Sequence, residues 1–383
     1  MKLVIHDLNE DEWRQVAGSY AGWTVVDDSG AIRPCIGCFR CWNKDPGRCV
    51  IRDGYENMGA LIHHADEVVV ISRYTFGGFS GFVKNVFDRC LGYVLPQFEV
   101  IDGETHHKKR YDEDKPFTFI FRGPELTEEE KAAACRYVRV VCANFRGHVS
   151  DVIFRQDGDA PAAPVREPVG ADVAGGVVLL NGSMRSRNGN SAKLARALAG
   201  RLSGTPESID LRDHLRDLPT LVRRLDAAET IVLCVPLYVD GLPSQVIRLM
   251  EEFRRSGAGG AKRIYVLANM GLYESCQLVN LFEAVRQWCG LMDYAYGGGL
   301  GVSAGELLGT LMETIPLGLG PTRNVCEGMK KLASAIDRGE SPGELYAEPY
   351  MFPRGLYIFI ANTNWDRTAR KNGLRPRDLY RRL

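Results

Sequence analysis

The chain has 383 residues, 45% of them hydrophobic and 25% charged, and its 48 Lys and Arg are balanced by 48 Asp and Glu. That length exceeds one compact domain and suits two. The balanced charge supplies no field for nucleic acid or an anionic membrane surface. No run approaches the roughly 18 uninterrupted apolar residues of a spanning helix, and the opening MKLVIHDL enters a strand-like run with no basic, then apolar leader before it. A cytoplasmic protein with no membrane partner is expected. Eleven cysteines in a reducing compartment favour metal, cluster or redox roles over disulfides. Several still read as small core residues: Cys135 and Cys142 share a helical face with Val138 and Phe145, Cys234 ends an apolar run, and Cys90, Cys276, Cys289 and Cys326 stand singly in helical patterns.

In the first half, strand-like runs at 2–6, 67–72, 117–121 and 148–154 alternate with helical patterns near 54–64, 80–91 and 127–145. Such alternation argues for a parallel sheet with helices on both faces. The turn after the first run holds Asp7, Glu10 and Asp11, three carboxylates where an anion would have to sit, so no phosphate grip is expected there. Cys35, Cys38, Cys41 and Cys49 form a C-x2-C-x2-C-x7-C array, with Gly37, Pro46 and Gly47 permitting tight turns. Three options stay open for it: a [4Fe-4S] cluster, a zinc ion, or reduced metal-free thiols. Tyr74, Phe76, Gly77, Gly78 and Phe79 form a Gly- and aromatic-rich loop entering a helix at Ser80. The run 106–110 reads as a solvated loop.

Residues 156–174, with Pro161, Pro164 and Pro168, read as a semi-rigid linker. Beyond them the alternation restarts: a strand at 176–180, a helix from 192, a strand at 207–210, a helix near 219–225 and strands at 230–235 and 262–268. The shared order of elements reads as a tandem duplication. It sets the expected domains at 1–155 and 175–383, the second ending in a helical extension. Between the strand at 176–180 and its helix, Ser183, Arg185, Ser186, Asn188, Asn190 and Ser191 offer hydroxyls, amides and a guanidinium beside the free N–H groups of a helix N-terminus, a combination suited to an anion. The loop ends in no Gly-Lys-Ser/Thr and contains no G-x-G-x-x-G. At the end of the strand at 230–235, Pro236, Leu237, Tyr238, Val239, Asp240 and Gly241 form a loop at the carboxyl end of a buried strand, where open α/β sheets bind ligands. Asn269, Met270, Gly271, Tyr273 and Glu274 follow the next strand. Gly297, Gly298 and Gly299 allow close backbone approach or form a flexible loop. The tail from Arg354 reads as a strand-like run and then a basic helical end. Arg367 to Arg382 are taken as a solvated face, since the aromatic interleaving of a nucleic-acid platform is missing.

The loop at 182–191 resembles the phosphate loop of flavodoxin-like NAD(P)H-dependent FMN reductases, G-S-x-R-x-x-S/G-N-S/T. The loops at 236–243 and 269–274 resemble the flavin-ring loop and the N-x-G-F/L-x-E loop of the same family, and the loop at 74–80 resembles the ring loop again. The cysteine array resembles that of the iron-sulfur flavoproteins, and also the C-x-G-C-x-x-C-W segment of reductases in the superfamily that require no cluster. The resemblance implies an α/β fold of two tandem flavodoxin-like doubly wound parallel sheets with flanking helices. It implies FMN in the second half alone, with Ser183, Arg185, Asn188, Asn190 and Ser191 at the phosphate. Pro236, Leu237, Tyr238, Val239, Asp240 and Gly241 would then lie along the ring, with Asn269, Gly271 and Tyr273 closing the site. NAD(P)H or a redox protein partner would supply electrons for a quinone, nitro or azo acceptor, directly or through a cluster, and a homodimer fits the family. The alternative is a redox carrier that exchanges electrons with a protein partner and turns over no small molecule.

Overall fold

The computed structural model describes residues 1–156, 176–185 and 187–383. Ser186 and, from residue 157 on, the linker expected over 156–174 lie outside the described residues, while Gln156 ends a strand. The chain divides into two units, Met1–Pro161 with Ile358–Leu383, and Ala162–Tyr357. No described helix is long and apolar enough to cross a membrane.

The first unit contains β1 (Lys2–His6), α1 (Glu10–Val16), β2 (Thr24–Val26), α2 (Arg40–Asn43), α3 (Met58–His64), β3 (Glu67–Arg73), α4 (Gly81–Arg89), β4 (Val94–Ile101), β5 (Glu104–Lys109), β6 (Lys115–Gly123), α5 (Glu128–Asn144) and β7 (Gly147–Gln156). Five strands form a parallel sheet in the order β2-β1-β3-β6-β7, while β4 and β5 pair as a separate antiparallel hairpin. With the hairpin set aside the order is 2-1-3-4-5, that of flavodoxin-like doubly wound sheets. Local chemistry fixes the helix starts: Asn9 with Glu12 and Thr127 with Glu130 form reciprocal capping boxes at α1 and α5. One sheet face packs Val4, Leu8, Val69 and Ile71 against Trp13, Val16, Tyr20 and Trp23. An aromatic cluster lies around Phe79, which is buried 5.0 Å from Phe87, 5.7 Å from Phe119 and 5.1 Å from Tyr137.

The run 106–110 is not a solvated loop. It lies in and just after β5, and Arg110 is buried with its guanidinium donating to the carbonyls of Gly92 (2.7 Å), Leu379 (2.6 Å) and Arg381 (2.7 Å). Arg381 pairs in turn with Asp45, and Arg382 with Asp112. This staple is why Ile358–Leu383 belongs to the first unit rather than extending the second; the six arginines of 367–382 are all exposed, as expected of a solvated face. In β5, His107 lies against Trp42 and Phe98. Burial pulls its pKa down to about 4, against the opposing pull of the Leu95 and Pro96 carbonyls. A folded pKa below the unfolded value means that the unfolded chain takes up the proton first. Stability is therefore expected to be full above about pH 6.5 and to decline between that pH and about 4; urea midpoints across this window, compared with His107→Gln, check it, the variant showing a flatter profile.

All nine residues of α4 are buried, including Lys84, Asn85, Asp88 and Arg89. Lys84 pairs with Asp88 inside the unit, and Arg89 grips both oxygens of Asp53 at 2.8 and 2.9 Å. Asn85 accepts the N–H of Cys35 and donates to the carbonyl of Ile32. The polar side of α4 is thus the floor on which the cysteine segment is laid.

The second unit contains β8 (Val177–Asn181), α6 (Asn190–Ala199), β9 (Glu207–Asp210), α7 (Leu218–Asp226), β10 (Thr230–Pro236), α8 (Ser244–Ser256), β11 (Arg263–Asn269), α9 (Val279–Met292), β12 (Ala295–Val302), α10 (Gly305–Thr314), α11 (Arg323–Arg338) and β13 (Glu344–Ala347), and α12 (Arg354–Lys371) crosses the division between the units. Its six strands are parallel in the order β9-β8-β10-β11-β12-β13, the same 2-1-3-4-5 arrangement with one strand added. Alternate strand residues such as Leu179, Val232, Leu267 and Leu300 pack with Leu194, Leu198, Val325, Met329 and Leu332 of α6 and α11. Phe253, Trp288 and Tyr294 interlock α8 and the end of α9.

One open alternative is decided here and one expectation changes. The glycines at 297–299 lie inside β12, and a Cβ on Gly299 would come within 2.1 Å of the Val266 carbonyl oxygen. They serve close strand approach, not a flexible loop. Gly299→Ala is expected to cost about 2 kcal/mol or more, since backbone must shift, and thermal unfolding of the variant measures this. The apolar run after Arg354 is helix from its start, not strand; a short apolar run is ambiguous by periodicity, and here the pattern continues helically to Lys371.

Candidate functional site

In the second unit the strand order reverses between β8 and β10, and the loops after β8, β10 and β11 all leave that carboxyl edge of the sheet. The first loop is shaped by its own short polar side chains. Asn181 accepts the Ser183 N–H at 3.2 Å and donates to Asp210 at 2.6 Å, and the Ser183 hydroxyl oxygen accepts the Arg185 N–H at 3.3 Å. Gly182 is required because a Cβ there would meet Val246 and Val235 at 2.7 and 2.8 Å. Helix α6 then begins with Gly189 at its N-cap, which has no side chain to cap it, so its first-turn N–H groups stay available to a ligand.

Across this N-terminus lies a carboxylate. Arg185 Nη1 is 2.6 Å and Asn190 Nδ2 3.4 Å from the same oxygen of Glu306, which stands in the first turn of α10. Gly309 makes room for the Asn190 amide, whose oxygen would be 2.2 Å from a Cβ placed there. Asn188 is exposed and takes no part in these contacts, whereas Ser183 and Ser191 are buried.

Asn269 joins the three loops. Its Nδ2 donates to the Ser191 hydroxyl at 2.7 Å and to the Val235 carbonyl at 3.3 Å, while its carbonyl accepts the Leu237 N–H at 2.8 Å. In the second loop Tyr238 and Gly241 exchange two backbone hydrogen bonds, 2.9 and 3.1 Å, around Val239 (φ 39°) and Asp240 (φ 58°). Positive φ at a β-branched residue is strained, and such strain is retained mainly where function needs the shape. The first unit repeats the turn, Thr75 pairing with Gly78 around Phe76 (φ 46°) and Gly77 (φ 83°). Phe79, however, belongs to the core there. Pro236, Leu237, Tyr238 and Val239 are half-buried, and Asp240 and Gly241 are buried.

The third loop is braced by the segment leading into α12. Tyr357 donates to the Gly271 carbonyl, Tyr273 donates to the Phe352 carbonyl at 2.5 Å, and Arg354 pairs with Glu274 at 2.9 Å. Burial pushes the Tyr273 hydroxyl above its usual pKa. With its proton already committed to Phe352, Tyr273 is a wall of the loop.

The turn after β1 in the first unit is filled by protein. The Asp7 carboxylate accepts the Arg73 N–H at 3.1 and 3.0 Å, and Arg73 pairs with Glu12. Burial raises the Asp7 pKa, opposed by the Ser80 hydroxyl and the Arg73 N–H.

The four cysteines of the array are free thiols that lie close enough to influence one another. Burial, then the nearby Asp88 charge, pushes Cys35 up to about 12; burial, then the neighbouring thiols, pushes Cys41 well above the usual range. Among the described residues, no group of three or more His, Cys, Asp or Glu is arranged to hold a metal ion. Ligation needs thiolates converging on a shared centre, and the arrangement supports neither zinc nor a cluster.

Glu306 was not legible as a site residue. It lies 116 positions from Asn190, at the end of a Gly-rich stretch, and only the placement of α10 beside α6 reveals it.

No protein-family model matches the chain, and no curated protein matches it. Among solved structures, the Trp repressor binding protein from Bacillus subtilis is 18% identical, covering 33% of this chain and 83% of its own, with a TM-score of 0.29. An azoreductase from Bacillus anthracis str. Sterne is 13% identical over 43% of this chain and 100% of its own, TM-score 0.31. An FMN-dependent NADH-azoreductase from Bacillus anthracis str. Ames Ancestor, in complex with FMN, is 13% identical over 42% and 99%, TM-score 0.30. The assignment to the flavodoxin-like class rests on the chain's own strand order in each unit.

Proposed function

We propose that the second unit binds FMN and that the protein is an FMN-dependent oxidoreductase using NAD(P)H. The observation that carries this reading is the pair Arg185 and Asn190, holding a carboxylate oxygen at the N-terminus of α6 on the switch-point edge of the sheet. A phosphate has the charge and the acceptor oxygens to take that place. When bound, FMN supplies hydride acceptance and onward electron transfer.

The chain's own residues orient and enclose. Ser183, Arg185, Asn190 and Ser191 hold the phosphate, with Asn188 at the exposed rim. Pro236 to Gly241 form a preformed, strained wall along the ring, with the Leu237, Tyr238 and Gly241 N–H groups committed to holding the loop's shape. Asn269 fixes the spacing of both loops, and Gly271 and Tyr273 close the far side. The reaction requires no acid-base pair from these residues.

The test is an anaerobic absorbance scan of purified protein. Flavin bands bleached by NADH or NADPH support the proposal; flavin reduced only by a ferredoxin-type donor would favour the carrier, and absence of flavin bands after incubation with FMN would remove the reading. Azo, nitro and quinone compounds are the acceptors to assay. Iron and zinc analysis of the same sample decides the fate of Cys35, Cys38, Cys41 and Cys49.

A further inference from the structure

We propose that Glu306 is a built-in competitor for the phosphate of the flavin, so that the site admits FMN only by expelling this carboxylate from Arg185. The inference rests on the FMN reading above and adds a residue that sets ligand selectivity at the same loop.

Two neighbouring arginines have acidic partners of their own. Arg187 pairs with Asp210 at 3.3 Å and with Asp213, and Arg212 lies 3.8 Å from Asp213 while donating to the Arg185 carbonyl. Arg185 stands at the N-terminus of α6, and Glu306 holds it at 2.6 Å. A phosphate dianion cannot share the guanidinium and the Asn190 amide with a carboxylate without like-charge repulsion. Glu306 can leave: its side chain is 52% exposed and that of Arg185 40%, and an ion pair so open to water is weak. Tethered to α10, it remains at high effective concentration and competes whenever the site is empty. Its station is also favoured, because a carboxylate in the first turn of α10 meets the positive end of that helix. The consequence is discrimination by charge. Ligands lacking a phosphate gain nothing from displacing Glu306, whereas FMN must offset it.

The experiment is a fluorescence-quench titration of wild type and Glu306→Gln, each with FMN and with riboflavin, at low ionic strength. Glutamine keeps the size and removes the charge at an exposed position, and a thermal melt checks that the variant folds. The expected result is FMN bound roughly fivefold more tightly by the variant, with riboflavin unchanged. Equal or weaker FMN binding by the variant overturns the proposal, because the carboxylate would then be neutral or helpful. A gain for riboflavin as large as that for FMN also overturns it, since the effect would not act through the phosphate. If neither protein binds FMN, the FMN reading itself fails and this inference with it, a result distinct from the other two.

Discussion

Replacing Arg185 and Asn190 together with alanine is expected to strip the protein of FMN, weakening the apparent affinity by about a hundredfold. Two direct donors to the anion disappear. The variant also leaves Glu306 with no cation to neutralise it next to the place the phosphate would take, which adds repulsion to the lost hydrogen bonds. Stability should barely change, because the Arg185–Glu306 pair is half exposed and such pairs contribute about 1 kcal/mol or less. Flavin content after purification and a fluorescence titration measure the effect, with riboflavin as the control for general damage. A variant that co-purifies with undiminished FMN would place the phosphate elsewhere in the chain.

Lys84→Met is the substitution expected to damage the first unit most, by about 3–5 kcal/mol. Lys84 and Asp88 are both 1% exposed and pair one helical turn apart on α4, so methionine leaves the Asp88 carboxylate buried without its counter-charge. The reason is desolvation rather than lost attraction, and it makes a second variant informative. Lys84→Met with Asp88→Leu removes both charges and should recover most of the loss, since an apolar pair of similar volume often substitutes for a buried ion pair at little cost. Urea unfolding of the three proteins decides it: a double variant as unstable as the single one would show that other partners of these side chains, not the pair itself, need the charge. Removing Asp88 also removes a negative charge that raises the Cys35 pKa, so thiol alkylation of the double variant should quicken.

Much of the candidate site was legible because its chemistry is local. The break at Asn181-Gly182-Ser183, the amides and hydroxyls before α6 and the Leu237–Gly241 turn follow directly from short-range preferences, and the structure brings Ser191, Asn269 and Leu237 into one hydrogen-bonded set. What stayed hidden was the partner across the loop, Glu306, because nothing in a stretch reading as glycine-rich loop announces which residue 116 positions away its side chain will meet. The cysteine array shows how spacing alone leaves chemistry undecided. Spacing left a cluster, a zinc ion and metal-free thiols open; the folded segment is pinned to α4 through Asn85, Arg89 and Asp53, and no metal-holding group forms among the described residues.

The sequence by itself determined the alternation of strands and helices in both halves, since continuous apolar runs fit strands buried on two faces and amphipathic spacing fits the helices that cover them. It determined the polar loop before α6 and the capping of α1 and α5, which need only neighbours within a few residues. Tertiary structure alone decided which polar residues are interior. Lys84, Asp88 and Arg89 of α4 are all buried, Arg89 beneath the segment that carries the cysteines, where it meets the Arg33 carbonyl and Asp53. Arg110 looks like loop and is the staple that holds the C-terminus to the first unit. Burial depends on what folds back over a surface, and that information lies in long-range contacts that no local pattern carries.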